Sequence, residues 1–96
     1  MKNFKELGIR KDLIEGLDEL GILVPTEIQN EVIPVLLNND TDLVGQAQTG
    51  TGKTAAYGLP LLQRIDASNK TIQALVLCPT RELGQQVAKQ LFKFTR

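Results

Sequence analysis

Histidine is absent from this sequence, and Cys78 is its single cysteine. One cysteine excludes an internal disulfide framework, and without histidine the usual zinc and haem ligand sets are excluded as well. The lack of histidine also excludes serine and cysteine triads of the usual type and imidazole acid–base chemistry. These absences remove histidine-dependent hydrolases and zinc or haem proteins from the candidate functions.

Long apolar runs are also absent. The longest apolar stretches, residues 32–37 and 74–78, fall far below the roughly 20 residues that a membrane-spanning helix needs. The start of the chain, MKNFKELGIRKD, is charged throughout and lacks the apolar core of a signal peptide. The sequence therefore predicts a soluble, cytoplasmic protein with no membrane partner.

The chain has 96 residues, of which 42% are hydrophobic, with 11 basic and 11 acidic side chains. This is the composition of one small globular domain or of part of a larger one. The charge is unevenly distributed, because residues 1–48 carry four basic and nine acidic side chains, whereas residues 49–96 carry seven and two. Such asymmetry can mark a phosphate-binding face, although charge alone favours two differently solvated surfaces.

Apolar spacing and capping residues predict the helices. Pro34 is expected to kink one of them or to start a fresh turn, and Pro60 to bend another. Thr26 and Gln29 have the spacing of a capping box. Four helices are predicted: over 10–20, from Thr26 onward, over 53–65, and from Thr80 or Arg81 onward.

Two segments are predicted to be strands, a short one at 42–46 and a more apolar one at 71–78. Because strands and helices alternate, the order predicts an α/β fold with a parallel sheet and flanking helices. Two strands do not make a stable open sheet of this kind, so we expect the domain to be incomplete.

The most informative segment is AQTGTGKT, residues 47–54, which fits the P-loop pattern GxxxxGK[ST] with Ala47 at the first glycine position. Its two glycines let backbone N–H groups turn inward around an anion, and the following helix adds its positive N-terminal end. Lys53 supplies charge toward the β- and γ-phosphates, and the Thr54 hydroxyl is a ligand for Mg²⁺. The alternative is a glycine-rich connection that binds nothing. The preceding strand, the following helix and the Gly-Lys-Thr junction favour nucleotide binding.

Three segments resemble the DEAD-box RNA helicases. AQTGTGKT looks like motif I of that family, and GILVPTEIQ at 21–29 resembles its Q motif, GxxxPTxIQ. Phe4, seventeen positions before Gly21, fits the isolated aromatic residue that belongs with the Q motif. Pro79–Leu83 is identical to motif Ia, PTREL. The resemblance extends from Phe4 to about Gln86, with the motifs in the family's order.

The resemblance implies roles at an ATP site. Gln29 would read adenine through one donor and one acceptor, and Phe4 would stack on the base. The residues alone favour structural roles instead, with Gln29 as part of the capping box and Phe4 as a hydrophobic staple on an early helix. Lys53 and Thr54 would be the catalytic residues of this part, with Thr54 as the metal ligand. The implied ATP-binding set is Phe4, Thr26, Gln29, Ala47, Gln48, Thr49, Gly50, Thr51, Gly52, Lys53 and Thr54.

Motif Ia implies contact with the backbone of RNA, single-stranded or in a short duplex and without sequence specificity. The implied residues are Pro79, Thr80, Arg81 and Glu82. A helix start with a threonine and an arginine suits phosphate contact. Without the family match, the segment would read as an ordinary strand-to-helix turn with an exposed ion pair.

The family implies a RecA-like P-loop NTPase domain, here truncated. We expect residues 1–30 to form a Q-motif helical region and residues 31–96 the first part of the ATP-binding domain. The function implied is that of an ATP-dependent RNA helicase, with ATP and Mg²⁺ as cofactors. The chain contains no Asp-Glu-Ala-Asp or Ser-Ala-Thr segment, so these residues alone are expected to bind and not to hydrolyse ATP. A naturally short nucleotide-binding or interaction module is the alternative.

Overall fold

The computed structural model describes residues 2–46 and 52–95. Its helices are α1 (Phe4–Leu7), α2 (Lys11–Glu19), α3 (Glu27–Asn38), α4 (Lys53–Arg64) and α5 (Arg81–Phe94). The four helices predicted from the sequence are confirmed, with ends that differ by one residue where both were stated. None of the helices in the described residues is long and apolar enough to cross a membrane.

Local signals explain where these helices begin. The side chains of Asn3, Thr26 and Thr80 each accept a hydrogen bond from a backbone N–H in the first turn of the helix that follows. α3 continues through Pro34 to Asn38, so this proline neither ends the helix nor starts a new one. The short α1 was not given bounds from the sequence. Its capping box is formed by Asn3 and Glu6, and Gly8 ends it in the left-handed conformation, so the residue types that define this helix are present in the sequence.

The parallel sheet predicted from 42–46 and 71–78 does not form among the described residues. Both segments lack regular secondary structure, and Val44, Ile72 and Leu77 are 92%, 91% and 85% exposed. A strand is stabilised by a neighbour that pairs its N–H and C=O groups, and neither segment has one within the parts of the chain that the structure describes. The helical layer is therefore present without the strands that the sequence predicts beside it.

The core lies between the helices. Leu17 of α2, Ile33 of α3 and Leu59 of α4 are fully buried, and Phe94 of α5 is 2% exposed. The Arg64 guanidinium donates hydrogen bonds to carbonyl groups at the end of α3, which fixes the C-terminal ends of α3 and α4 together. α1 and α2 share this core with α3 and α4. The start of α3 is joined to the start of α4 by a hydrogen bond from Gln29 to Gly52.

Candidate nucleotide-binding site

Gln29 is held by the N-terminal cap of α3. Its backbone N–H donates to the Thr26 hydroxyl at 3.4 Å, and its side-chain Oε1 accepts from the Thr26 N–H at 3.0 Å. This reciprocal capping box places the amide of Gln29, 3% exposed, in one orientation. The predicted capping role of Thr26 and Gln29 is thus confirmed.

The same side chain reaches the glycine-rich segment. Nε2 of Gln29 donates to the carbonyl oxygen of Gly52 at 3.1 Å, joining residues 23 positions apart. Gly52 has φ +89°, and a Cβ built on it would lie 2.4 Å from Nε2 of Gln29 and 3.0 Å from Oγ1 of Thr26. Glycine is required here both by the left-handed backbone and by the close approach of Gln29.

An amide side chain has more hydrogen-bonding capacity than these contacts use. Oε1 can accept two hydrogen bonds and Nε2 can donate two. Described residues occupy one of each, through the N–H of Thr26 and the carbonyl of Gly52. One acceptor position and one donor position on Gln29 have no partner among the described residues, and one of each is the pattern that the N6/N7 edge of adenine complements.

The start of α4 leaves backbone donors available. Its N-cap is Gly52, which has no side chain to bind the first N–H groups, and those groups have no acceptor earlier in the helix. Lys53 is exposed and Thr54 is half-buried in this first turn. N–H groups without an acceptor among the described residues, the positive end of a 12-residue helix and a lysine together suit a polyphosphate.

Part of the expected site lies outside the described residues. These are Ala47, Gln48, Thr49, Gly50 and Thr51. Of the other expected residues, the structure places Thr26, Gln29 and Gly52 together, and Lys53 and Thr54 follow Gly52 directly. Among the described residues there is no group of three or more acidic, cysteine or histidine side chains that could hold a metal. A single hydroxyl fits Mg²⁺ of a nucleotide, since that ion takes most of its ligands from phosphates and water.

Phe4 is buried at the first position of α1. Its ring is 3% exposed and belongs to the same cluster as Ile33 of α3 and Ala55 of α4. It therefore shares a core with the helix that carries Gln29 and with the helix that begins at Lys53. Stacking on a base would use the small part of Phe4 that is exposed.

Pro79, Thr80, Arg81 and Glu82 are all exposed at the start of α5. The Thr80 hydroxyl accepts from the N–H of Leu83 at 3.1 Å, so its first role is that of an N-cap. Among the described side chains, Arg81 makes no salt bridge, in contrast to the ion pair that the isolated segment suggested. Its guanidinium is accessible for contact with a phosphate group.

Two polar side chains that hold the ends of α1 were not predicted from the sequence. The side-chain amide of Asn30 binds both backbone groups of Lys2, before α1. The side-chain amide of Gln63 binds the backbone of Gly8 and Arg10, after α1. Neither residue belongs to a periodic pattern or to one of the three motifs. No signal in a single sequence distinguishes such an amide from an ordinary surface residue.

Comparison with known proteins identifies the family. The family model described as DEAD/DEAH box helicase matches residues 26–96. The chain is 45% identical over 93 residues to the DEAD-box ATP-dependent RNA helicase CshA of Geobacillus kaustophilus, a match that covers 97% of this chain and 20% of that protein. This chain thus spans only a fifth of the length of that relative.

Solved structures agree with this assignment. Dbp5 of S. cerevisiae bound to RNA and ADP BeF3 is 35% identical with a TM-score of 0.93, over 99% of this chain and 25% of Dbp5. A DEAD box protein from Methanococcus jannaschii is 40% identical with a TM-score of 0.90, over 97% of this chain and 25% of that one. The structural neighbours are RecA-like helicase domains. With its three motifs, its fold and its relatives in agreement, the chain belongs to the DEAD-box helicase family.

Proposed function

We propose that this chain is the ATP-binding N-terminal portion of a cytoplasmic, ATP-dependent RNA helicase that remodels or locally unwinds RNA duplexes. The observation that carries the proposal is the 3.1 Å hydrogen bond from Gln29 to Gly52. It brings a side chain suited to adenine next to the start of a helix suited to phosphates. The structure of Dbp5 bound to RNA and ADP BeF3 supports an adenine nucleotide and RNA as the ligands.

Gln29 is the proposed base reader. One donor and one acceptor of its amide have no partner among the described residues, and they complement the N7 acceptor and the N6 donor of adenine. Guanine presents two acceptors, N7 and O6, at the same edge, so one of them would face Oε1 of Gln29 without a proton between them. The site should therefore prefer adenine nucleotides, and Phe4 is proposed to contact the same base from α1.

The phosphates are proposed to lie at the start of α4. The N–H groups of its first turn and the Lys53 ammonium bind the phosphate oxygens, together with the backbone of residues 47–51. Thr54 would hold Mg²⁺ through its hydroxyl group. When bound, this ion would neutralise charge that develops on the phosphates. In this arrangement residues 1–30 supply most of the adenine end, and residues 31–96 supply the phosphate end.

Pro79, Thr80, Arg81 and Glu82 are proposed to contact the RNA backbone. Their exposure at a helix start suits a phosphate group, and such contacts position RNA without reading its sequence. In the complete protein we propose that ATP and RNA close two RecA-like domains around a short duplex, and that hydrolysis releases the RNA. The 96 residues hold no Asp-Glu-Ala-Asp segment, so their own contribution is binding.

We further propose that 42–46 and 71–78 are strands of a parallel sheet in the complete domain. Ile72, Leu75 and Leu77 are 91%, 79% and 85% exposed, although their side chains are those of a buried strand. Hydrogen exchange tests this directly. The amides of 71–78 should exchange slowly in the protein at its natural length and fast in the 96-residue chain, and fast exchange in both would contradict the sheet.

Binding of a fluorescent ADP analogue tests the nucleotide site. Lys53→Ala removes a charged donor and should weaken binding by about tenfold or more. Gln29→Glu keeps the acceptor of the capping box but removes the donor to Gly52 and to adenine, so it should reduce the preference for ADP over GDP by about fivefold or more. If Lys53→Ala binds as tightly as the wild type, or if the wild type binds ADP and GDP equally, the proposed site is wrong.

A further inference from the structure

Asn30 connects the adenine end of the site to the start of the chain. Its Nδ2 donates to the carbonyl oxygen of Lys2 at 3.0 Å, and its Oδ1 accepts from the N–H of the same residue at 3.2 Å. One side-chain amide thus satisfies both backbone groups of a residue 28 positions away, as a neighbouring strand would. Since Asn30 directly follows Gln29 on α3, the clamp lies beside the proposed base reader.

A short rigid path leads from this clamp to Phe4. Asn3 follows Lys2 and caps α1 in a reciprocal capping box with Glu6, so the backbone between the clamp and the helix has little freedom. Phe4 is the first residue of that helix and packs in the cluster shared by α3 and α4. Asn30 therefore fixes the position of the N-terminal end of α1 relative to Gln29.

Gln63 offers a chemically matched comparison at the other end of α1. Its Oε1 accepts from the N–H of Arg10 at 2.9 Å, and its Nε2 donates to the carbonyl oxygen of Gly8 at 2.8 Å. This second clamp holds the connection between α1 and α2 against α4. It lies at the C-terminal end of α1, whereas Phe4 is at the N-terminal end. The two amides make the same kind of contact, and one of them is adjacent to Gln29.

We propose that Asn30 is a positioning residue for the base specificity of this site. By holding Lys2, it keeps Phe4 and Gln29 in register, so that both contact the same adenine ring. The inference rests on the proposed adenine-nucleotide function and adds a residue outside the three motifs. It also assigns the first residues of the chain to the base-binding end, whereas the phosphate-binding end depends on α4.

The test compares ligands that use different ends of the site. Asn30→Ala, Asn30→Asp and Gln63→Ala are made in the protein at its natural length, and dissociation constants are measured for ADP, GDP and inorganic tripolyphosphate. Asn30→Ala should weaken ADP by about three- to tenfold, as expected for the loss of one or two exposed hydrogen bonds, and leave tripolyphosphate within about twofold. Asn30→Asp keeps the acceptor for the N–H of Lys2 and should lose less affinity for ADP than Asn30→Ala.

Gln63→Ala removes a clamp of the same chemistry and should change the affinity for ADP by less than about twofold. If Gln63→Ala weakens ADP as much as Asn30→Ala does, or if Asn30→Ala weakens tripolyphosphate equally, Asn30 is only a structural clamp and the inference is overturned. Unchanged ADP binding in Asn30→Ala overturns it as well. Should Asn30→Ala fail to fold, Asn30→Asp decides, since affinity for ADP equal to that of the wild type contradicts the inference. A wild type that does not prefer ADP over GDP refutes the proposed function itself.

Discussion

Replacing Gly52 by alanine should disrupt the junction between Gln29 and the start of α4. Gly52 has φ +89°, a conformation that side chains with a Cβ rarely adopt, and its new Cβ would lie 2.4 Å from Nε2 of Gln29. Gln29 cannot simply move away, because the capping box with Thr26 holds its Oε1 and the residue is buried. The substitution must therefore break the hydrogen bond from Gln29 to the carbonyl of Gly52.

The expected loss of stability has two parts. The left-handed backbone costs about 1–2 kcal/mol for a residue with a Cβ. A buried polar group that loses its hydrogen-bond partner costs a further free energy of about 1–3 kcal/mol. Substitution of Gly21 measures the backbone cost alone, because Gly21 has φ +79° and nothing lies within 4 Å of a Cβ built on it. Gly21→Ala should lose only the first part, and Gly52→Ala about 1–3 kcal/mol more.

Urea unfolding followed by circular dichroism measures both variants against the wild type. ADP binding is measured in parallel and should fall in Gly52→Ala but stay unchanged in Gly21→Ala. Equal losses of stability in the two variants would show that the contact with Gln29 adds nothing to the backbone strain. That result would refute the junction as the link between Gln29, the proposed base reader, and α4, the helix proposed to bind the phosphates.

Further outcomes follow from the same geometry. Thr26→Ala removes the cap of α3 and should cost about 1 kcal/mol of unfolding free energy in urea, whereas Thr26→Ser should restore most of it; no difference between them would contradict the capping role. Leu59→Ala, at a fully buried position, should cost about 2–5 kcal/mol in the same assay, whereas Leu75→Ala, at a position 79% exposed, should change stability by less than about 0.5 kcal/mol in the 96-residue chain. Hydrogen bonds from the side chain and backbone N–H of Ser68 lower the pKa of Asp66 below its ordinary value of 3.8, so Ser68→Ala should raise that pKa in an NMR titration. Because the pKa is lowered in the folded state, these bonds stabilise the fold above about pH 3.8, and the effect disappears as the pH falls through the lowered pKa.

The sequence predicted the helices well because their signals are local. The capping residues Thr26 and Thr80 act on backbone groups three positions away, and the apolar stripes repeat within one helix. α1 was missed because four residues are too few to show a helical period. Strand formation is different, since 42–46 and 71–78 have the side chains of strands but require a partner segment to become them.

The candidate site shows the same division. The sequence by itself determined the family, the residue types of the glycine-rich segment and the capping box that orients Gln29, because each depends on residues close together in the chain. Only the tertiary structure decided that Gln29 binds Gly52, that Asn30 holds Lys2 and that Phe4 belongs to the core shared by α3 and α4. These contacts join distant residues, and their geometry follows from how the helices pack around the core.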